Sequence, residues 1–262
     1  MTAPASPHSP QQDAPAHPRP EESAGPAAAG SGTPVRTIAF VAYPGITPLD
    51  LVGPLQICAV LSDLAPGFRT VVVGERKEPM GTDTALSVVP SHTFDEVPDP
   101  EVLIVPGGLV PTLAAMADET LLERLRRASE GAEVVGSVCT GSLLLGAAGL
   151  LEGRRATSHW MFRRLLAEFG ATPVAERWVE DGRIVTAAGV SAGIDMALQL
   201  VSRLAGDDTA RLVQLMIEYD PEPPFGPIDW AAAGVENHAP FADALLKRAL
   251  ADHPGLLARL SR

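Results

Sequence analysis

The segment Gly136-Ser137-Val138-Cys139-Thr140-Gly141-Ser142 holds the residue best suited to covalent chemistry. An apolar run passes directly into a helical pattern, with Cys139 at the corner and small residues on both sides. Small neighbours let the backbone turn sharply and leave a thiol at the end of a strand, the arrangement of a nucleophile elbow. A helix N-terminus just after the thiol carries partial positive charge and free N–H groups, so Cys139 is expected to titrate below free cysteine. The competing reading is a small buried residue at a strand–helix junction. Cys58 is the contrast: it lies mid-helix between Ile57 and Val60 and reads as core.

Four further places bear on the thiol. Asp50 follows the first strand and its turn, just before a helix, and a carboxyl there can donate and recover a proton. If the first and fourth strands are neighbours, Asp50 reaches the space above Cys139; otherwise it is a helix cap. Pro106-Gly107-Gly108 ends the third strand, where glycine N–H groups, with that of Thr140, can line an anion-stabilising pocket. His159, in Thr157-Ser158-His159-Trp160, is either a base for the thiol or a structural histidine, and the structural role is preferred because Asp50 already offers acid–base function. Gly189 to Asp195 opens a helix with Ser191 as N-cap and Asp195 in the first turn. It lacks the full dinucleotide pattern and reads as helix entry near the pocket.

The elements that must position these groups alternate. Strands are expected at Arg36–Tyr43, Phe68–Gly74, Val102–Val105, Val134–Val138 and Arg155–Ser158, and a hairpin about Asp181-Gly182 within Trp178–Val185. Lys77 to Phe94 reads as a hairpin or edge excursion. Helices are expected at Leu51–Leu64, Glu119–Ala132, Thr140–Leu151, up to Phe169, Ala192–Leu204, Asp207–Tyr219 and about Ala242–Ala251. Pro54 is acceptable only in a first turn. Continuously apolar strands are covered on both faces, so the fold is α/β, a mostly parallel sheet between helix layers, with ligands at the strands' carboxyl ends.

Composition narrows the function. The 262 residues carry a formal charge of −12. Residues 1–34 have no Val, Ile, Leu, Phe, Tyr or Trp and hold eight of the 25 prolines, so they read as a disordered tail. Arg19 stands there against Asp13, Glu21 and Glu22, which leaves −10 for the remainder. No basic stripe exists, so neither nucleic acid nor an anionic membrane surface is an expected partner. The tail lacks the pattern of a signal peptide, and no apolar run is long enough to span a membrane. Two cysteines fit a reducing cytoplasm and exclude a multi-cysteine zinc site. His8 and His17 lie in the tail; His92, His238 and His253 have no companions at ligand spacing, so no metal is expected.

The segments FVAYPGITPLDLVGP, IVPGG, SVCTGSLLLGAAGLL, ATSHW and AGVSAGIDMAL resemble the ThiJ/PfpI, or class I glutamine amidotransferase-like, superfamily from about Arg36 to Phe225. Asp50 before LVGP, Cys139-Thr140-Gly141-Ser142 and the run YDPEPPF from Tyr219 are most similar to its isocyanide hydratase branch. The resemblance implies a flavodoxin-like three-layer sandwich over residues 35–227, a C-terminal helical extension over 228–262, and usually a homodimer. Carried over by position, Cys139 is the nucleophile, Asp50 its acid–base partner, Thr140 the neighbouring pocket residue, and Gly107 and Gly108 the backbone pocket. The superfamily often has Glu in place of Asp50 and His in place of Thr140, and that departure favours the hydratase branch. Related regulators append a helix-turn-helix region, for which the residues after Gly226 are too few. The implied reaction converts a small-molecule isocyanide to an N-substituted formamide through a thioimidate, with no cofactor. The alternatives are a non-catalytic or redox-sensing binding module and a related cysteine hydrolase.

Overall fold

A computed structural model describes residues 35–261. The proline-rich segment 1–34 lies outside the described residues, and so do His8 and His17.

Seven strands form the main sheet: β1 (Arg36–Val41), β2 (Phe68–Gly74), β3 (His92–Thr93), β4 (Val102–Val105), β5 (Val134–Val138), β6 (Trp178–Asp181) and β7 (Ile184–Ala187). Their order is β6-β7-β5-β4-β1-β2-β3. All neighbours are parallel except the β6–β7 hairpin, which turns at Asp181-Gly182 as the sequence predicts. β4 and β5 are buried at every position, and β1 at every position after Arg36. Each fully buried Ile, Leu or Phe there stabilises the fold by roughly 1.5–3 kcal/mol.

Helices α1 (Pro48–Leu64), α5 (Ala192–Ala205) and α6 (Asp207–Met216) pack together; α2 (Val110–Ala115), α3 (Glu119–Ser129), α4 (Gly141–Ala147) and α7 (Ala239–Ala249) form the other group flanking the sheet. α8 (Pro254–Leu260) closes the described chain. No helix among the described residues is long and apolar enough to cross a membrane.

The expected edge excursion is a short antiparallel pair, Met80–Gly81 with Ser87–Val88, followed by β3. Arg155–Ala156 pairs with Thr172–Pro173 outside the main sheet, and Arg163–Phe169 is a 3-10 helix where an ordinary helix was expected. α4 is shorter than predicted because the chain turns out at Gly149 with φ +80°. α2 and α8 are short and lack a long apolar period, so the sequence pattern did not show them.

Two differences matter for the site. α1 begins at Pro48, so Asp50 lies inside the first turn rather than before the helix, and Pro54 lies in the second. Proline has no N–H to give the residue four positions back, which leaves the Asp50 carbonyl without its helical partner. The first strand is also not a neighbour of the Cys139 strand: β4 lies between β1 and β5.

Candidate active site

Cys139 follows β5 and precedes α4, and its φ is +58°, a left-handed conformation rare for a side chain other than glycine. The surroundings hold it there. Its N–H is shared between the Ala187 and Ala188 carbonyls at 3.1 and 2.9 Å. Its carbonyl accepts the hydroxyls of Ser142 and Ser158, each at 3.1 Å. Backbone strain held by surrounding bonds concentrates at functional sites. Glycine beside the turn has a steric reason: a Cβ on Gly141 would lie 2.1 Å from the Val105 carbonyl oxygen.

Asp50 meets Cys139 past the end of β4, where the Gly107 N–H faces its carboxyl. A Cβ on Gly107 would sit 2.5 Å from the Thr140 nitrogen. The Gly107 carbonyl accepts the Thr47 N–H at 2.9 Å, which ties the entry of α1 to the β4 turn. The Tyr43 hydroxyl donates to the Pro106 carbonyl at 2.7 Å and lies 3.0 Å from Thr112 Oγ1, fixing the same turn from below.

The anion pocket expected from Gly107, Gly108 and Thr140 is arranged differently. The Gly108 N–H donates to Thr140 Oγ1 at 2.9 Å, and that hydroxyl donates to the Gly108 carbonyl at 2.5 Å. The Gly108 N–H is therefore occupied, and the Thr140 side chain clamps the turn. The Gly107 N–H faces Asp50, while the N–H groups of Thr140 and Val190 face the Cys139 sulfur. The Val190 N–H was not among the groups singled out in the sequence, since nothing in Gly189-Val190-Ser191 marks its direction.

Electrostatically, the site is one coupled pair. Asp50 is fully buried, and neither carboxyl oxygen makes a hydrogen bond of ordinary geometry within the described residues. Burial pushes its pKa up to about 7; the Cys139 thiol and the Gly107 N–H oppose the shift, and the charge of Asp83 adds to it. Cys139 is 4% exposed. Burial, then the Asp50 charge, raises its thiol pKa, and the Thr140 and Val190 N–H groups only partly offset this. The expectation of a lowered thiol pKa is thus corrected. Desolvation and a neighbouring carboxylate outweigh the start of a short helix. Above pH 7 the pair holds one proton and one negative charge between two atoms that compete for it.

His159 lies at the margin of the site. Its Nδ1 accepts the Met161 N–H at 3.3 Å, so the neutral ring carries its proton on Nε2. Burial and then Arg163 lower its pKa. Its ring packs on Gly189, where a Cβ would lie 2.7 Å from His159 Cδ2. No hydrogen bond joins it to Cys139 or Asp50 among the described residues.

Ser191 makes no side-chain cap to α5. Asp195 does lie in the first turn, bonded to Arg177 and accepting the Tyr219 hydroxyl at 2.8 Å. No cluster of three or more metal-ligating side chains occurs among the described residues. A cavity of about 320 Å³ at the carboxyl ends of β1 and β2 is lined by Tyr43, Glu75, Arg76, Met80 and Phe94, and neither Cys139 nor Asp50 borders it.

Known proteins share this arrangement of elements. The chain is 44% identical over 204 residues to isonitrile hydratase of Pseudomonas putida, covering 77% of this chain and 87% of that one. It is 30% identical over 234 residues to the HTH-type transcriptional regulator GlxA of Rhizobium meliloti, covering 87% of this chain and 65% of the regulator. The crystal structure of a ThiJ/PfpI family protein from Pseudomonas syringae superposes with a TM-score of 0.76 at 39% identity, covering 87% of this chain and 91% of that one. The DJ-1/PfpI family model matches residues 36–203, and the chain belongs to that family.

Proposed function

We propose that this protein hydrates an isocyanide to an N-substituted formamide, with Cys139 as nucleophile and Asp50 as the acid–base group. The observation that carries the reading is the buried Asp50 carboxyl, without an ordinary hydrogen bond and with its pKa near 7, set against a thiol on a strained strand–helix corner. The likeness to isonitrile hydratase supplies the substrate class. The corner at Cys139 acts as a nucleophile elbow, and the residues require no metal or organic cofactor.

The terminal carbon of R–N≡C is electrophilic. As the sulfur attacks it, the thiol proton passes to Asp50 and from there to that carbon, giving the thioimidate R–N=CH–S–Cys139. Asp50, again a carboxylate, takes a proton from water while the oxygen adds to the same carbon, and that proton passes to nitrogen. The adduct R–NH–CH(OH)–S–Cys139 then collapses. The C–S bond breaks, the hydroxyl proton returns to the pair, and R–NH–CHO leaves. Thr140 and Val190 N–H groups stabilise the sulfur as it departs.

Homodimerisation, a cytoplasmic setting and a role for His159 in the substrate pocket belong to the same proposal. The test is to add an aryl or alkyl isocyanide and follow loss of isocyanide and appearance of the formamide. Turnover by the wild type supports the reading; an inert wild type on a panel of isocyanides, with hydrolysis of amides or nitriles instead, overturns it.

A further inference from the structure

Thr47 is the N-cap of α1 and Asp50 the third residue inside it, the two positions that a capping box uses. In that motif the Thr47 hydroxyl would accept the Asp50 N–H, and the Asp50 carboxyl would engage the Thr47 N–H. Neither bond forms. The Asp50 N–H bonds the Thr47 carbonyl at 3.0 Å, and the Thr47 N–H bonds the Gly107 carbonyl at 2.9 Å. The Thr47 hydroxyl donates to the Asp83 carboxylate and makes no cap. Gly107 and Asp83 thus occupy both Thr47 groups, and the Asp50 carboxyl is left to face Cys139.

Asp83 lies in the loop between the short strands Met80–Gly81 and Ser87–Val88, and its side chain is exposed. That loop is tied to the chain entering α1. The Gly45 N–H bonds the Gly81 carbonyl at 2.8 Å, and the Asp83 N–H bonds the Ile46 carbonyl at 3.1 Å. Inside the loop, the Thr82 N–H and hydroxyl both donate to the Leu86 carbonyl, at 3.2 and 2.8 Å. The Asp83 charge is therefore held in one place beside the first turn of α1. The titratable groups facing Asp50 are Cys139 from the corner after β5, Tyr43 from the end of β1 and Asp83 from this loop. α5, α6 and β2 also pack on α1, and none of their side chains is among the charges acting on Asp50.

We propose that Asp83 is a positioning residue for Asp50: it takes the Thr47 hydroxyl, fastening the loop to the entry of α1, and its fixed negative charge opposes ionisation of the Asp50 carboxyl. The proposal rests on the reading of Asp50 and Cys139 as the reacting pair. It adds a third residue, remote from the sulfur, that sets where in the pH range the pair is ready to react. The exposed position of Asp83 makes its influence weaker than that of a buried charge and open to screening by salt.

The test compares wild type and Asp83→Asn. Asparagine keeps an acceptor for the Thr47 hydroxyl and removes only the charge. Two readouts are followed against pH: the carbon-13 signal of the Asp50 carboxyl, assigned by its loss in Asp50→Asn, and kcat/KM for isocyanide hydration. Asp83→Asn should lower the midpoint of the carboxyl signal by about 0.3–0.5 pH unit at low salt, a roughly two- to threefold change in proton affinity. The rising limb of kcat/KM should move by the same amount. Salt at about 1 M should close most of the gap between the two proteins. An unshifted or raised midpoint in Asp83→Asn, or a gap that survives the salt, would overturn the proposal. If the midpoint falls as expected in a protein that turns over no isocyanide, the role of Asp83 stands and the hydration reading falls.

Discussion

Cys58 and Cys139 have the same buried side chain in two settings. Both are almost completely hidden from solvent, and burial raises both thiols, Cys58 to about 12. Cys58 sits in regular helix with no charged neighbour among the causes of its shift, and its proton has nowhere to go. Cys139 sits on a left-handed corner with Asp50 beside it. Burial therefore does not distinguish the filler from the proposed nucleophile. The distinction comes from a backbone that holds the sulfur at a strand end and from a carboxyl whose own proton affinity has been brought into range.

The largest expected difference is between the two alanine variants. Cys139→Ala is expected to lower formamide production by more than about 10⁴-fold, as removal of a nucleophile does. Cys58→Ala should retain turnover and lose only about 1–2 kcal/mol of stability in urea unfolding.

Asp50→Asn removes the proton acceptor and leaves the thiol. Its kcat should fall by about 10²–10⁴-fold. In the wild type, kcat/KM should rise with pH through about 7, as the doubly protonated pair loses its first proton, and then level off. Asp50→Asn should lack that limb. Stability moves the other way. The folded pKa of Asp50 lies above its ordinary value of 3.8, so the folded state binds the proton more tightly. That stabilisation is complete below pH 3.8 and is lost as pH rises to about 7. Asp50→Asn should therefore exceed the wild type in stability at pH 8, by at most about 4 kcal/mol, with the gain shrinking towards pH 4 in denaturant titrations.

Smaller effects are expected from the clamp between the two strands. Thr140→Val leaves the buried N–H and carbonyl of Gly108 without their partner, at a cost of roughly 1–3 kcal/mol. Gly107→Ala places a methyl 2.5 Å from the Thr140 nitrogen and should cost about 1–3 kcal/mol while lowering kcat by shifting the Thr140 N–H away from the sulfur. Thermal unfolding and steady-state kinetics on the same samples measure both.

Much of this was legible in the sequence, because the strongest signals are local. The bounds of β2, β4 and β5 fall where the sequence places them; β4, buried at every position, reads as unbroken Val, Leu and Ile, and β2 keeps its valines in its second half. The strand–Cys–Thr–Gly–Ser pattern marked Cys139. What the sequence hid was long-range. Asp50 was expected beside Cys139 through adjacent strands, whereas β4 intervenes and the two groups meet past its end. Ser142 and Ser158 were missed as holders of the Cys139 carbonyl, because a hydroxyl's partner follows from the fold rather than from spacing. The thiol's pKa was misjudged for a related reason. The helix start is local and visible, whereas desolvation by the assembled core is not.

The central claim is that one of two buried thiols performs the hydration. It is tested most directly by the initial rate of formamide formation from one isocyanide by wild type, Cys58→Ala and Cys139→Ala under the same conditions. Near-equal rates are expected for the first two and no enzymatic rate for the third. A Cys139→Ala protein that turns over like the wild type would contradict it.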